Sequence, residues 1–208
     1  NLLVNGTVAL LIITGGISFS VIVELVSELK ERGRGKLSLN SKVVLTGTGI
    51  LLVLGMLLFY VAEHGGTLAE LPTARQYLSA FFQSVTLRTA GFNTIPTGSL
   101  ATGTLLIMMV FMFIGAAQGS TAGGIKINTV AVMYSYITSV LSGRRDVVLN
   151  RYSIAPEQVQ KAFLVLLFGI LSVGIGSILL SFTESGPFDA LLFETVSAFG
   201  TVGLSTGI

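Results

Sequence analysis

Four long apolar runs set the terms on which this chain can fold. They extend roughly from Leu2 to Val26, Val43 to Val61, Leu105 to Leu141 and Ala162 to Phe182. At 1.5 Å of rise per residue, each is long enough to cross a hydrocarbon core of about 30 Å as a helix. Charged residues make up 11% of the chain and hydrophobic ones 51%, whereas soluble domains carry roughly a quarter charged residues. The mean hydropathy of +0.84 points the same way. This pattern predicts an all-α, multi-pass membrane protein. The lack of cysteine removes disulfide staples and thiolate metal sites. No signal peptide is visible, and both ends, one inside an apolar run without a start Met and one at Gly207-Ile208, read as cuts through a longer chain.

The charges sort by side. Lys30, Arg32, Arg34, Lys36 and Lys42 lie between the first two runs, with Glu28 and Glu31 among them, and Arg144, Arg145, Arg151 and Lys161 lie between the last two. The opposite loops carry Glu63, Glu70, Glu184 and Asp189. Short loops rich in Lys and Arg stay cytoplasmic. The chain is therefore expected to reach the cytoplasm after Val26, return outward through Val43–Val61, re-enter near Leu105 and come out again by Phe182. The net charge of +2 follows from this sorting and implies no nucleic-acid partner.

After each outward-going run comes a segment too short to span. Tyr77–Thr86 leads into Leu87-Arg88-Thr89-Ala90-Gly91-Phe92-Asn93-Thr94, and Phe188–Phe199 leads into Gly200-Thr201-Val202-Gly203-Leu204-Ser205-Thr206. Aligning Gly91 with Gly203 also matches Phe81 with Phe193, Thr89 with Thr201 and Thr94 with Thr206. Self-similarity at a fixed distance marks a repeated structural unit. Non-helical backbone survives at membrane depth only when packed in protein or lining a watery cavity. A glycine there opens dihedrals closed to other residues, and rings of backbone carbonyls can replace the hydration shell of a potassium ion.

The third run is interrupted by Gly115-Ala116-Ala117-Gln118-Gly119-Ser120-Thr121-Ala122-Gly123-Gly124. Each glycine costs a helix about 1 kcal/mol relative to Ala, so a break is expected, with Gln118, Ser120 and Thr121 available to partner freed backbone groups. Such a loop inside a bundle is placed to obstruct ions. Small residues also permit close helix packing, which competes as an explanation. A phosphate loop does not compete, because Ile125 stands where G-x-x-x-x-G-K-[ST] needs its Lys and no buried strand precedes it.

Thr86–Thr94, Gly119–Lys126 and Ser197–Gly207, in this order and spacing, resemble the Trk/Ktr/HKT superfamily of potassium transporters, and within it the KtrB-type membrane subunit. The resemblance covers essentially the whole chain. It implies helix–pore-helix–helix units in pseudo-fourfold array around one pore. Residues 1–29 then look like the closing helix of a second unit, 30–42 a cytoplasmic loop, 43–141 a complete third unit, 142–160 a second cytoplasmic loop, and 161–208 a fourth unit truncated after its filter. By the same resemblance, Thr89, Ala90, Gly91 and Phe92, with Thr201, Val202, Gly203 and Leu204, match the filter segments that coordinate potassium through their carbonyls. Gly115 to Gly124 matches an intramembrane gate loop. The family further implies a homodimer in the bacterial cytoplasmic membrane, controlled by a cytosolic nucleotide-binding ring of the KtrA/TrkA type, with no cofactor beyond the transported K+. Some members are sodium-dependent, and the sequence leaves Na+ coupling open.

Three charges sit among these motifs. Arg88 is expected to pair with a carboxylate, Glu194 being one candidate, because intramembrane charges normally have partners. Glu194 is alternatively a charge that attracts cations. Lys126 either holds the gate loop closed or snorkels to the interface. The main rival function is a secondary transporter for a small organic solute that binds at the broken helix, though such a protein needs no twin Thr-x-Gly segments. No catalytic constellation suggests an enzyme, and His64 stands alone in an external loop.

Overall fold

The computed structural model describes residues 2–30, 37–144 and 146–208. Arg32, Arg34, Lys36, Glu31 and Arg145, which carry part of the loop-charge reading, lie outside them. The helices are α1 Leu2–Gly16, α2 Phe19–Lys30, α3 Leu39–Glu63, α4 Thr73–Thr86, α5 Thr102–Phe113, α6 Ile127–Leu141, α7 Pro156–Thr183 and α8 Phe188–Phe199. Between α6 and α7 lies a hairpin of β1 Val148–Leu149 and β2 Tyr152–Ser153.

Two helices, α3 and α7, are long and apolar enough to cross a membrane unaided, at 25 and 28 residues. Ser38 starts the first by accepting the Ser41 N–H on its hydroxyl at 3.2 Å, and Pro156 opens the second, where its missing N–H costs nothing. Along α7 the side chains of Phe168, Ile175, Ile178, Leu179 and Phe182 stand more than half exposed. A face of this size with no polar cover suits hydrocarbon as its solvent. The third run is broken as its glycines suggest, into α5 and α6.

The first run differs from expectation. Leu2–Val26 is not one continuous helix: α1 and α2 meet at a bend of 102° across Ile17-Ser18. Gly15 and Gly16 weaken the helix there, and a tertiary contact decides the outcome. The Gly16 carbonyl accepts the Ala117 N–H at 3.1 Å, and a Cβ on Gly16 would lie 3.3 Å from that of Ala116.

Small residues also set the remaining helix contacts, as is common where hydrophobicity alone cannot drive association. A Cβ on Gly55 of α3 would sit 2.5 Å from Ser84 Oγ of α4, one on Gly47 2.6 Å from Ile127 of α6, and one on Gly176 of α7 2.7 Å from Thr195 of α8. The core lies where α3, α4, α5 and α8 converge, around Phe59, Leu87, Met108, Met112 and Phe193, all nearly or fully buried.

Two features went unread in the sequence. Glu63, taken for a loop charge, is buried at the end of α3 and accepts from Thr104 Oγ1 at 2.5 Å, Thr67 Oγ1 at 2.8 Å, and the backbone N–H groups of Thr67 and Ala101 at 3.2 Å. It ties the end of α3 to the start of α5, where a helix favours negative charge. The hairpin turns at Asn150 and Arg151, whose φ values of 48° and 75° suit a two-residue turn of this hand.

Candidate functional site

Two short helices, α4 and α8, deliver the chain to the twin Thr-x-Gly segments. Both helices are closed by backbone bonds of differing span: the N–H of Ala90 returns to Thr86, while those of Thr201 and Val202 return to Ala198 and Ser197. The next steps match. Thr89 and Thr201 have φ of 66° and 51°, and Gly91 and Gly203 have φ of 73° and 86°. Left-handed threonine is strained, since its branched Cβ crowds the backbone. Two threonines held so at corresponding positions extend the repeat from sequence to backbone.

The segments meet. A Cβ on Gly91 would overlap the Val202 carbonyl oxygen and lie 3.2 Å from Gly203 Cα. On the second segment Val202 and Leu204 are buried, at 3% and 2% exposure, while Thr201, Gly203 and Ser205 face outward. The first segment is less enclosed, and Phe92 is 58% exposed. Not every carbonyl is equally free: that of Leu204 accepts from Ser197 Oγ at 2.6 Å.

The segment Gly115–Gly124 lies against the second of these turns. Its neck is a parallel bridge between Ile114 and Ile125, in which the Ile125 N–H bonds Phe113 O and the Gly115 N–H bonds Ile125 O, both at 2.9 Å. This pairing satisfies backbone groups that the broken helix releases. A Cβ on Gly115 would overlap the Gly123 carbonyl. On one flank the loop rests on the α1–α2 elbow, through Ala117 to Gly16 and through Thr121 Oγ1 to Gly15 O at 3.3 Å. On the other, the Gly123 N–H donates to Thr201 Oγ1 at 3.0 Å. Ser120 Oγ bonds Ala117 O at 2.7 Å within the loop. Lys126 Nζ donates to the Ala122 carbonyl. Gln118 is exposed and lines a cavity of about 470 Å³ with Asn40, Asn128 and Lys161.

The charged residues depart from expectation. Arg88 is buried, and its three guanidinium nitrogens have no hydrogen-bond partner among the described residues. Glu194 does not reach it. Its Oε1 instead accepts from Ser205 Oγ and Thr206 Oγ1 at 2.9 Å and from the Thr206 N–H at 2.6 Å. Arg88 sits just past the end of α4 and points at the end of α1, where a Cβ on Gly16 would lie 3.9 Å from its terminal nitrogen. Among the described residues, no group of three or more His, Asp or Glu side chains could hold a metal ion. The donors at the twin turns are backbone and hydroxyl oxygens, which suit a hard monovalent cation.

The model of the TrkH family, a cation transport protein family, matches residues 1–208. The chain belongs to the TrkH family. Within it, the chain is 40% identical over 207 residues to the Ktr system potassium uptake protein B of Bacillus subtilis, covering 99% of this chain and 46% of that protein. It is 38% identical to the protein of the same name from Vibrio alginolyticus, over 99% of this chain and 46% of that one. It is 36% identical to the potassium/sodium uptake protein NtpJ of Enterococcus hirae, over 97% of this chain and 45% of that one. This TrkH-family chain thus spans about half the length of the relatives it matches. Its fold resembles that of the potassium transporter TrkH from Vibrio parahaemolyticus, with a TM-score of 0.71 at 16% identity, covering 99% of this chain and 46% of that one.

Sequence reasoning missed several groups that shape this TrkH-family site. Gly16 looked like part of a span, although the Gly15-Gly16 pair was a signal for a break. Ser197, inside an apolar short helix, gave no sign that it would hold the Leu204 carbonyl.

Proposed function

We propose that this chain is part of a potassium uptake pathway across the bacterial cytoplasmic membrane. In this reading Thr89–Phe92 and Thr201–Leu204 line the ion path as filter segments, and Gly115–Gly124 gates it. The observation that carries the reading is the matched backbone of the twin turns: a Thr and a Gly of positive φ on either side of an apolar residue of negative φ, in two segments whose glycines touch. Alternating φ along a strand turns successive carbonyls to one side, the arrangement needed to replace a hydration shell. The names of the relatives, two potassium uptake proteins and one potassium/sodium uptake protein, support the cation.

The element order supports a repeated plan. The third unit runs through α3, α4, the first Thr-x-Gly turn and the broken pair α5 and α6, and the fourth through α7, α8 and the second turn. Residues 1–29 close a second unit, and further filter segments complete a pseudo-fourfold ring in the whole protein. The gating role rests on the loop's contact with Thr201, directly beside the second turn. One glycine per turn gives fewer coordination positions than a longer filter, which leaves room for sodium as a coupled or competing ion. The whole protein works as a homodimer under a cytosolic nucleotide-binding ring, the assembly that the family resemblance implies. It carries ions and performs no covalent chemistry.

Rubidium uptake into potassium-starved cells tests the reading, comparing the protein with its Gly203→Ser variant. At φ of 86° a side chain is strained, so uptake affinity should fall while the protein stays in the membrane. Equal uptake in both would make Thr201–Leu204 a plain turn and bring forward an organic solute bound at the broken helix.

A further inference from the structure

Two polar side chains one turn apart on α8 grip the backbone just beyond Gly203. Ser197 Oγ, buried, donates to the Leu204 carbonyl at 2.6 Å. Glu194 Oε1 collects the Thr206 N–H at 2.6 Å and the hydroxyls of Ser205 and Thr206 at 2.9 Å. At i and i+3 the two residues share one helix face. Residues 204 to 206 are thereby fastened to the helix that precedes the turn, and the turn itself is held at both ends.

Among the described residues, the first copy has no such fastening. In the register that pairs Gly91 with Gly203, Phe82 and Val85 stand where Glu194 and Ser197 stand in the second, both buried and both apolar. The two positions also differ in burial: Leu204 is 2% exposed and its counterpart Phe92 is 58% exposed.

We propose that Glu194, with Ser197, is a positioning residue that holds the second Thr-x-Gly segment in register for ion discrimination, so that the second segment is the stiff member of the pair and the first the yielding one. This deepens the filter reading of Thr201–Leu204 and rests on it. A carboxylate that drew cations by its field alone would need no particular neighbours. Here one oxygen takes three donors, all from residues 205 and 206. The Leu204 carbonyl, turned back to Ser197, anchors the strand, which leaves Thr201, Val202 and Gly203 to face the ion.

The test is rubidium uptake against rising sodium in potassium-starved cells, with protein in the membrane measured for every variant. Glu194→Gln keeps an acceptor oxygen for the same donors and should discriminate rubidium from sodium within about twofold of the parent. Glu194→Leu should lose on the order of tenfold in discrimination, the weight of one good hydrogen bond. Ser197→Ala, a small change to a better helix former, should lose in the same direction by about threefold. If Gln fails as badly as Leu, the charge acts through its field and the positioning role is overturned. Unchanged discrimination in both Glu194→Leu and Ser197→Ala overturns it as well. Gly203→Ser separates the two levels: if that variant also leaves discrimination intact, the filter reading itself has failed, whatever Glu194 does.

Discussion

The backbone N–H of Gly123 donates to the hydroxyl of Thr201 at 3.0 Å, so the loop that breaks one span ends against the turn that closes another. There is no slack at this contact. A Cβ on Gly123 would lie 2.5 Å from Thr201 Oγ1 and 2.7 Å from the Gly200 carbonyl. Gly123→Ala must therefore push the loop off the turn. Rubidium influx is expected to rise by about twofold to tenfold, the equivalent of one lost hydrogen bond. Deleting Gly119–Gly124 should raise it further. Unchanged influx in the deletion would end the gating proposal.

Arg88 gives a prediction about stability in place of flux. Removing one member of a buried ion pair is costly because the other charge is orphaned, but among the described residues no carboxylate is paired with Arg88. Its compensation comes from the ends of α1 and α4, each worth about 0.3 to 2 kcal/mol toward a cation. Desolvating a guanidinium costs several kcal/mol, so the burial term is the larger. Arg88→Met should leave thermal stability in detergent unchanged or raise it, while Arg88→Glu should lower it. A marked drop for Met would mean that Arg88 has a strong anionic partner in the assembled protein.

How far the sequence reached is clearest at the two short helices. The reading of Phe188–Phe199 agrees with α8 residue for residue, and that of Tyr77–Thr86 falls within α4, because a short apolar stretch before a Thr-x-Gly motif has few other solutions. The break in the third run was legible for a similar reason, as four glycines in ten residues cannot sustain a helix. The bend at Ile17-Ser18 was not, because apolar character runs straight through it and the deciding bond comes from Ala117, a hundred residues away. The Arg88–Glu194 pair failed for a related reason. Opposite charges near a common motif suggest a bond, but Glu194 found its donors in the loop beyond its own helix.

Glu63 ties α3 to α5 through Thr104 and Ala101, and nothing in its sequence context announced it. Glu63→Ala would strand the buried Thr104 hydroxyl and take an acceptor from half-buried Thr67 and exposed Ala101, where water replaces part of the loss. Each such loss costs about 1 to 3 kcal/mol, though the chain relaxes to recover part of it. A net destabilisation of about 3 kcal/mol is expected, read as a lower melting temperature in detergent. Glu63→Gln keeps an acceptor and should lose less than half of that. Equal losses for Ala and Gln would show that the negative charge, and not the hydrogen-bond count, holds this corner.

Lys126 is the N-cap residue of α6, where a cation opposes the helix dipole. Its bond to the Ala122 carbonyl offsets that cost and ties the loop one residue from the Gly123–Thr201 contact. Lys126→Met should relieve the helix end and free the loop together. Thermal stability is then expected to hold or rise slightly, while rubidium influx rises about twofold to tenfold. Lys126→Arg, which keeps a donor of similar reach, should stay near the parent in both. The two readouts separate the roles: a lysine that merely snorkelled to the interface would leave influx unchanged in Met, whereas a lysine that holds the loop cannot be removed without opening it.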